Sequence, residues 1–197
     1  MKTIYYLYTS IFFFFCFFFL SIFIINGNTI FFDVPFYEWI SQFPLKDFFT
    51  FITDFGDTLW IVIFIIIAFL ILRKKRSREL LIGTMVVETV LNLLLKYFFG
   101  RERPGFPHLV EATGYSFPSG HMMAATSFSF LMIYFVWESK LPKLWKTLLT
   151  ILFSLYTILI GLSRIYLGVH YTSDVIGAFC ISLSVLSFCI FLSRSLK

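Results

Sequence analysis

The chain has 197 residues, of which 59% are hydrophobic and 29 are Phe, and this composition excludes a soluble globular domain. The length suits one membrane bundle, so we expect a single domain over residues 1–197. The formal net charge of +5 does not indicate nucleic acid here, because the basic residues fall in short loops of the kind that set membrane orientation.

Six apolar runs predict an all-α, polytopic membrane protein with six transmembrane helices in one bundle. The runs are residues 4–25, 59–72, 80–99, 122–137, 148–162 and 175–192. Several become long enough to cross about 30 Å of hydrocarbon only with flanking aromatic or small residues. The first run is too long for the core of a signal peptide, and no Ala-x-Ala-like cleavage site follows it.

The charges of the connections predict the orientation of the bundle. Basic residues lie near both termini and in alternate connections, which a six-span topology puts on the same side of the membrane. The positive-inside rule predicts that this side is the cytoplasm. The basic residues are Lys2, residues 73–78, Lys140, Lys143, Lys146, Arg194 and Lys197. The opposite connection, residues 26–57, is acidic and aromatic, and we expect it to lie along the outer interface. All three cysteines lie inside predicted spans, so we expect no disulfide.

The third predicted span carries polar residues on one face, because Glu88, Asn92 and Lys96 stand four residues apart. Ionisable groups at membrane depth usually face a bundle interior or a wet cavity. For Glu88 and Asn92, a polar ladder between helices and a functional role remain equally open. Lys96 lies near the outer end of the span, seven residues before Arg103, and Gly100 should end the helix.

The outer loop after this span contains two arginines, against the positive-inside bias. We expect Arg101 to pair with Glu102 or Glu111. Arg103 is a better candidate for phosphate binding, since its spacing places it with Lys96. His108 has no such partner by spacing and is expected to be a solvated loop residue.

The stretch Tyr115–His121 leads into the fourth predicted span, with Ser119 as the N-cap. First-turn amides have no intrahelical acceptor, so Gly120 and His121 could hold a phosphate by their backbone N–H groups, together with the Ser119 hydroxyl. Taken alone, this stretch is also compatible with plain helix architecture.

The junction of the fifth and sixth predicted spans contains Arg164, His170 and Asp174. Thr172 or Ser173 can cap the sixth helix, which places Asp174 in the first turn within reach of His170. A buried His beside a capping Asp is common as structure alone, but three such residues at one membrane edge are costly.

The six-span topology brings these polar clusters to one outer face. They supply cations, helix-start amides and two imidazoles, a set that suits phosphoryl transfer in which one His attacks phosphorus and another protonates the departing oxygen. No His, Cys or Asp cluster has metal-ligand spacing, so we expect no metal and no cofactor.

Three motifs within residues 96–174 resemble the signature motifs of the type 2 phosphatidic acid phosphatase (PAP2) superfamily. They are Lys96-x6-Arg103-Pro104, Pro118-Ser119-Gly120-His121 and Ser163-Arg164-x5-His170-x3-Asp174. The resemblance implies a metal-independent lipid phosphate phosphatase with its site at the outer membrane face. It implies that His170 is the nucleophile, oriented by Asp174, and that His121 is the general acid. It also implies phosphate binding by Lys96, Arg103, Ser119, Gly120 and Arg164.

The implied substrate is a membrane lipid phosphate, namely phosphatidylglycerophosphate, undecaprenyl diphosphate or phosphatidate, and the motifs do not separate these. A protein that binds or transports phosphorylated lipids without hydrolysis is the alternative. Intact His121, His170 and Asp174 argue against it, since binding alone needs no nucleophile.

Overall fold

The structure is a computed structural model that describes residues 2–196, and Lys197, one of the basic residues used above, lies outside that range. The described chain is helical and contains eight helices. These are α1 (Lys2–Ile25), α2 (Ile30–Ile40), α3 (Lys46–Asp54), α4 (Thr58–Ile71), α5 (Lys75–Phe99), α6 (Gly120–Glu138), α7 (Lys143–Tyr166) and α8 (Thr172–Ser195).

Within residues 2–196, five helices are long and apolar enough to cross a membrane, and they are α1, α5, α6, α7 and α8. The prediction of a helical, multi-pass membrane protein is confirmed. The second predicted span, residues 59–72, differs from the other five. It forms α4, whose 14 residues at about 1.5 Å each are shorter than a bilayer core. It follows α3 across a 50° bend, and the two together can form one broken span.

The bundle is built around α8, which packs along α1 on one side and against α6 on another. Small polar residues allow the close approach of α1 and α8, since the Ser184 hydroxyl donates to the Ser10 carbonyl oxygen at 2.9 Å. Helix α6 also packs against α5 and α7. Many aromatic side chains of α1 are exposed, as a lipid-facing surface requires.

The connection between the first two predicted spans, residues 26–57, contains two helices that were not predicted from the sequence. Helix α2 packs against α7 and α8 and buries Asp33, and α3 packs against α7 and buries Phe49 and Thr53. The connection therefore covers the end of the bundle where α7 ends and α8 begins.

The polar residues of α5 make contacts between elements. Glu88 is buried and accepts a hydrogen bond from the Ser182 hydroxyl of α8 at 3.0 Å. Asn92 donates from Nδ2 to the Pro118 carbonyl oxygen at 3.1 Å. Glu88 therefore makes an interhelical contact and Asn92 fixes the loop that starts α6, while a functional role stays open for both.

Two glycines direct the chain at this end of the bundle. Gly100 ends α5 as predicted, with φ of 56° and its N–H bonded to the Lys96 carbonyl oxygen. Gly168 has φ of 75°, and a Cβ there would lie 2.4 Å from the Pro107 carbonyl oxygen. The first glycine releases the loop that carries Arg103, and the second brings that loop against the turn before His170.

Candidate active site

The end of α5, the start of α6 and the α7–α8 turn meet at one end of the bundle, as predicted. The Ser119 backbone N–H donates to the Asp174 carbonyl oxygen at 3.3 Å, which joins the starts of α6 and α8. The Leu109 N–H donates to the Leu167 carbonyl oxygen at 3.0 Å, which joins the α5–α6 loop to the α7–α8 turn. The polar clusters that are far apart in sequence therefore form one site.

His170 and Asp174 form a buried pair, with Nδ1 of the imidazole 3.3 Å from Oδ2 of the carboxylate. Asp174 lies in the first turn of α8 as predicted, and its Oδ2 also accepts the Tyr171 N–H at 2.9 Å. The predicted cap at Thr172 or Ser173 is wrong, because α8 already begins at Thr172, after an extended Tyr171. An imidazole that donates from Nδ1 to Asp174 keeps a lone pair on Nε2, as a nucleophile requires.

The surroundings of His170 favour its neutral form. Burial lowers the pKa of His170 well below 6.5, and the nearby charges of Arg164, Arg103 and Lys96 lower this pKa further, as does His121. The three predicted phosphate-binding cations thus lie close enough to act on the candidate nucleophile.

The Arg103 guanidinium is held by backbone carbonyl groups on two sides. Nε donates to Gly114 O at 3.0 Å, Nη2 to Thr113 O at 2.7 Å and Nη1 to Val169 O at 2.8 Å. A guanidinium carries five N–H groups, so these contacts leave a fork of one N–H on each terminal nitrogen, of which that of Nη2 is available to an anion and that of Nη1 points to His170 Nε2. Nη1 also lies 3.3 Å from His170 Nε2, so an anion on this fork would face the imidazole.

The other candidate phosphate ligands also lie at this end. Lys96 Nζ donates to the Tyr115 carbonyl oxygen at 2.5 Å, and Arg164 Nη1 to the Thr53 hydroxyl at 2.6 Å. Ser119 is the N-cap of α6 as predicted, but its buried hydroxyl makes no capping bond and has no partner in the described chain. Arg164 Nε is likewise buried and unpartnered there. Buried polar groups without partners are uncommon in folded proteins, and a phosphate oxygen would satisfy these donors.

The start of α6 leaves backbone donors available. Met123 N–H makes the first helical bond, to Ser119 O at 3.0 Å, so the N–H groups of Gly120 and His121 precede the hydrogen-bonded ladder. A Cβ on Gly120 would lie 3.1 Å from the Asn92 Oδ1, which explains why the smallest residue stands at this contact.

His121 has a carboxylate partner that sequence reasoning missed. Its Nε2 lies 2.8 Å from Oδ1 of Asp57, the residue that precedes α4. Neighbouring Gly56 is close as well, since a Cβ there would lie 2.8 Å from His121 Cδ2. The only signal in the sequence was the acidic character of the outer connection, which did not single out Asp57.

The predicted partner of Arg101 is wrong. Its guanidinium contacts Asp174 Oδ1 at 2.5 Å and Asp33 Oδ2 at 3.1 Å, whereas Glu102 and Glu111 are exposed. The buried carboxylates attract this cation because they are removed from water, while exposed glutamates gain little from an ion pair. Asp33, in the segment expected to lie along the interface, is therefore part of the site's surroundings.

Two further observations bound the site. His108 is exposed, with Nε2 3.0 Å from the Pro104 carbonyl oxygen, as expected for a loop residue. Among residues 2–196, no group of three or more His, Cys, Asp or Glu side chains could hold a metal ion. The positive charges near His170 are those of the Arg164, Arg103 and Lys96 side chains.

The fold and the site define a helical membrane protein with cations and two histidines gathered at one end of its bundle. The chain belongs to the PAP2 superfamily, whose profile matches residues 80–195. It is 34% identical over 149 residues to phosphatidylglycerophosphatase B of Bacillus subtilis (strain 168), a match that spans 73% of each chain. It is 28% identical over 147 residues to undecaprenyl-diphosphatase BcrC of the same organism, spanning 72% of this chain and 71% of that one.

A solved structure shares the fold. The crystal structure of a transmembrane PAP2 type phosphatidylglycerolphosphate phosphatase from Bacillus subtilis superposes with a TM-score of 0.82 at 30% identity. The match covers 96% of this chain and 98% of the other. The protein is thus a lipid phosphatase of the PAP2 superfamily.

Proposed function

We propose that this protein hydrolyses a phosphate monoester or diphosphate of a membrane lipid through a phosphohistidine on His170, at the extracytoplasmic face of the membrane. Phosphatidylglycerophosphate, undecaprenyl diphosphate and phosphatidate are the substrates that fit the chemistry. One observation carries the proposal: a buried imidazole lies between the Asp174 carboxylate at Nδ1 and the Arg103 guanidinium at Nε2.

In the first step, His170 Nε2 attacks phosphorus, the N–P bond forms and the P–O bond to the lipid breaks. His121 gives a proton to the departing oxygen. In the second step, water attacks the phosphohistidine, His121 takes the proton from that water, and the N–P bond breaks to release inorganic phosphate. Lys96, Arg103, Arg164, the Ser119 hydroxyl and the Gly120 amide hold the phosphoryl oxygens in both steps, without a metal.

The lipid part of the substrate has a place beside these residues. A cavity of about 340 Å³ extends from Gly120 and His121 between α4, α5 and α6, and its walls include Ile61, Val62 and Leu93. Mostly apolar pockets with a few polar groups at one end are typical of sites for amphiphilic ligands. We propose that the part of the lipid next to its phosphate lies here.

The proposed orientation follows from the charges at the opposite end of the bundle. The loops 72–74 and 139–142, which join α4 to α5 and α6 to α7, lie at the ends of α5 and α6 remote from the site. Arg194 of α8 pairs with Glu138 there at 2.6 Å. Because basic residues cluster on the cytoplasmic side of membrane proteins, both termini would be cytoplasmic and the site outside.

The direct test is to trap the intermediate. Purified protein is mixed with radiolabelled lipid phosphate and quenched without acid, and the label on protein is measured for the parent, His170→Ala and His108→Ala. The exposed His108 is the matched control. We expect an acid-labile phosphohistidine in the parent and in His108→Ala but not in His170→Ala. Label that persists in His170→Ala would assign the nucleophile to another residue.

The substrate class is tested by phosphate release from a panel of lipid monophosphates and diphosphates presented in the same detergent. Turnover of any of them, lost in His170→Ala, supports the proposal. Binding of these lipids without phosphate release would favour the binding or transport alternative.

A further inference from the structure

We infer that Arg101 and Asp33 are positioning residues that hold Asp174, and through it His170, in the reactive arrangement. The inference rests on the proposed function, since it assigns the orienting role to Asp174. It adds two residues that the motifs do not specify: Arg101, at an unspecified position of the first motif, and Asp33, in α2.

Arg101 joins two buried carboxylates. Its Nη1 donates to Asp174 Oδ1 at 2.5 Å and to the Ser173 hydroxyl at 2.7 Å, and its Nη2 donates to Asp33 Oδ2 at 3.1 Å and to the Thr29 hydroxyl at 3.1 Å. The guanidinium carbon also lies 4.1 Å from the centre of the Tyr171 ring. Contacts in the plane and on a face of the guanidinium leave it little freedom to rotate.

Asp33 fixes the other side of this arrangement. Its Oδ1 accepts the Ser173 backbone N–H and its Oδ2 accepts the Ser173 hydroxyl, both at 2.7 Å. Ser173 lies in the first turn of α8, so Asp33 binds the helix start that carries Asp174. Helix α2 is thereby tied to α8 next to the candidate catalytic pair.

These contacts give the two carboxylate oxygens of Asp174 different partners. Arg101 occupies Oδ1, and Oδ2 is left to the Tyr171 N–H and to His170 Nδ1. Because the side chains of Asp33 and Asp174 are both fully buried, Arg101 also supplies the positive charge that these two carboxyl groups contact. Asp174 without Arg101 would be free to rotate or to take up a proton, and either change would release the imidazole.

The test compares Arg101→Met and Asp33→Asn with matched variants at the other end of the bundle. Arg194→Met and Glu138→Gln alter an exposed ion pair whose arginine also lies over aromatic rings, those of Tyr6 and Tyr134. All are assayed in detergent with phosphatidate, and kcat is expressed per folded protein.

We expect kcat to fall about 10- to 100-fold in Arg101→Met and less in Asp33→Asn, by analogy with the loss when an outer partner of a metal-binding His is removed. The inhibition constant of inorganic phosphate should change less than about twofold, because the cations that bind phosphate are intact. The control variants should retain the parent kcat.

Coupling to Asp174 separates positioning from simple loss of stability. In an Asp174→Asn background, Arg101→Met should cost less than about twofold in kcat, since its target is already altered. Equal losses in both backgrounds, or weaker phosphate binding with an unchanged kcat, would overturn the inference. If Arg101→Met does not fold, Asp33→Asn in the two backgrounds gives the same decision. Absence of any hydrolysis by the parent would instead contradict the proposed function.

Discussion

At the residue scale, Arg103 shows why this position needs a guanidinium rather than the ammonium group of lysine, although both carry the same charge. Nε, Nη1 and Nη2 each donate to a different carbonyl oxygen, and the second N–H groups of Nη2 and of Nη1, the latter directed at His170 Nε2, form the fork proposed to bind phosphate. Lysine cannot make the backbone contacts and the fork at once. Arg103→Lys should therefore lower kcat by about 10²–10³-fold, as expected when a donor to developing charge is lost.

The measurement is lipid phosphate hydrolysis by Arg103→Lys beside Arg78→Lys, an arginine at the opposite end of the bundle that also donates to carbonyl groups. Activity of the parent should survive excess chelator, because Lys96, Arg103 and Arg164 supply the positive charge. Full activity of Arg103→Lys, or dependence of the parent on added magnesium, would contradict this account.

His170 leads to a prediction about protonation. Burial and the neighbouring cations place the pKa of His170 well below 6.5, so the free enzyme holds this imidazole neutral at pH 6.5, where an unperturbed His is about half protonated. The chain has three histidines, so a His108→Gln, His121→Gln variant leaves one. Its ring carbon NMR shift should report the neutral form down to below pH 6.5. A midpoint at or above 6.5 would show that the site does not suppress the charge.

The contribution of His121 to kcat should depend on how strongly the leaving oxygen requires a proton. An alcohol departs from a lipid monophosphate, whereas a lipid diphosphate expels a phosphate monoester, whose second pKa is about 6. His121→Ala should cost about 10²–10⁴-fold in kcat on a monophosphate and far less on a diphosphate. Asp57→Asn should also lower kcat more on the monophosphate than on the diphosphate, but by a smaller factor, because Asp57 forms a hydrogen bond with His121 Nε2. Equal losses on both substrates, with phosphate binding unchanged, would return His121 to a phosphate-holding role.

At the scale of elements, the junction of α3 and α4 supports the site from the side opposite the motifs. The Thr53 hydroxyl accepts a hydrogen bond from Arg164 Nη1. Asp57 Oδ1 contacts His121 Nε2, and Gly56 lies against the same imidazole. Gly56→Ala would place a methyl group 2.8 Å from His121 Cδ2, so the imidazole must move. A displacement of about 1 Å can cost on the order of 10²-fold in rate, and we expect kcat to fall toward that extent.

Gly83→Ala is the matched control, because a Cβ at Gly83 meets no atom of the described chain within 4 Å. Both variants should fold, as judged by size-exclusion profile and melting temperature in detergent. A Gly56→Ala enzyme with the parent's kcat would show that the junction tolerates the methyl group without moving His121.

The elements also show which parts of the fold the sequence could predict. Long apolar runs between polar connections predict spans because the bilayer imposes one length on them, and α1 and α5 to α8 follow that rule. Helices α2 and α3 carry acids and aromatics without such a run; Pro35 obscures the pattern of α2, whereas α3 is amphipathic at the helical period, a signal that was not used. Their helical form depends on packing against α7 and α8.

The candidate site likewise contains residues that the sequence could predict and residues that it could not. The motif residues were predictable because their spacing within each motif is local. The partners of Arg101 and His121 were not, since Asp33 and Asp57 lie more than 60 residues away along the chain. Tertiary packing of the outer connection brings these carboxylates to the site, and no sequence period encodes that contact.

At the scale of the whole molecule, charge is separated along the bundle. The Arg73–Arg78 and Lys140–Lys146 segments lie at one end and the candidate site at the other. Arg101 and Arg103 near the site are held by buried carboxylates and carbonyl groups, and Arg164 is buried, whereas Lys75 and Lys140 are exposed. The exposed charges are the ones expected to interact with the anionic cytoplasmic leaflet.

This separation predicts a topology that cysteine labelling can measure. Leu109 in the loop of the site and Leu141 in the loop between α6 and α7 are both exposed, uncharged and at opposite ends of the bundle. In a variant without Cys16, Cys180 and Cys189, Leu109→Cys should react with a membrane-impermeant thiol reagent in intact cells. Leu141→Cys should react only after lysis, because the positive-inside rule places that loop in the cytoplasm. The reverse pattern would put the active site on the cytoplasmic face, and lipid phosphates of the inner leaflet would then be the substrates to assay.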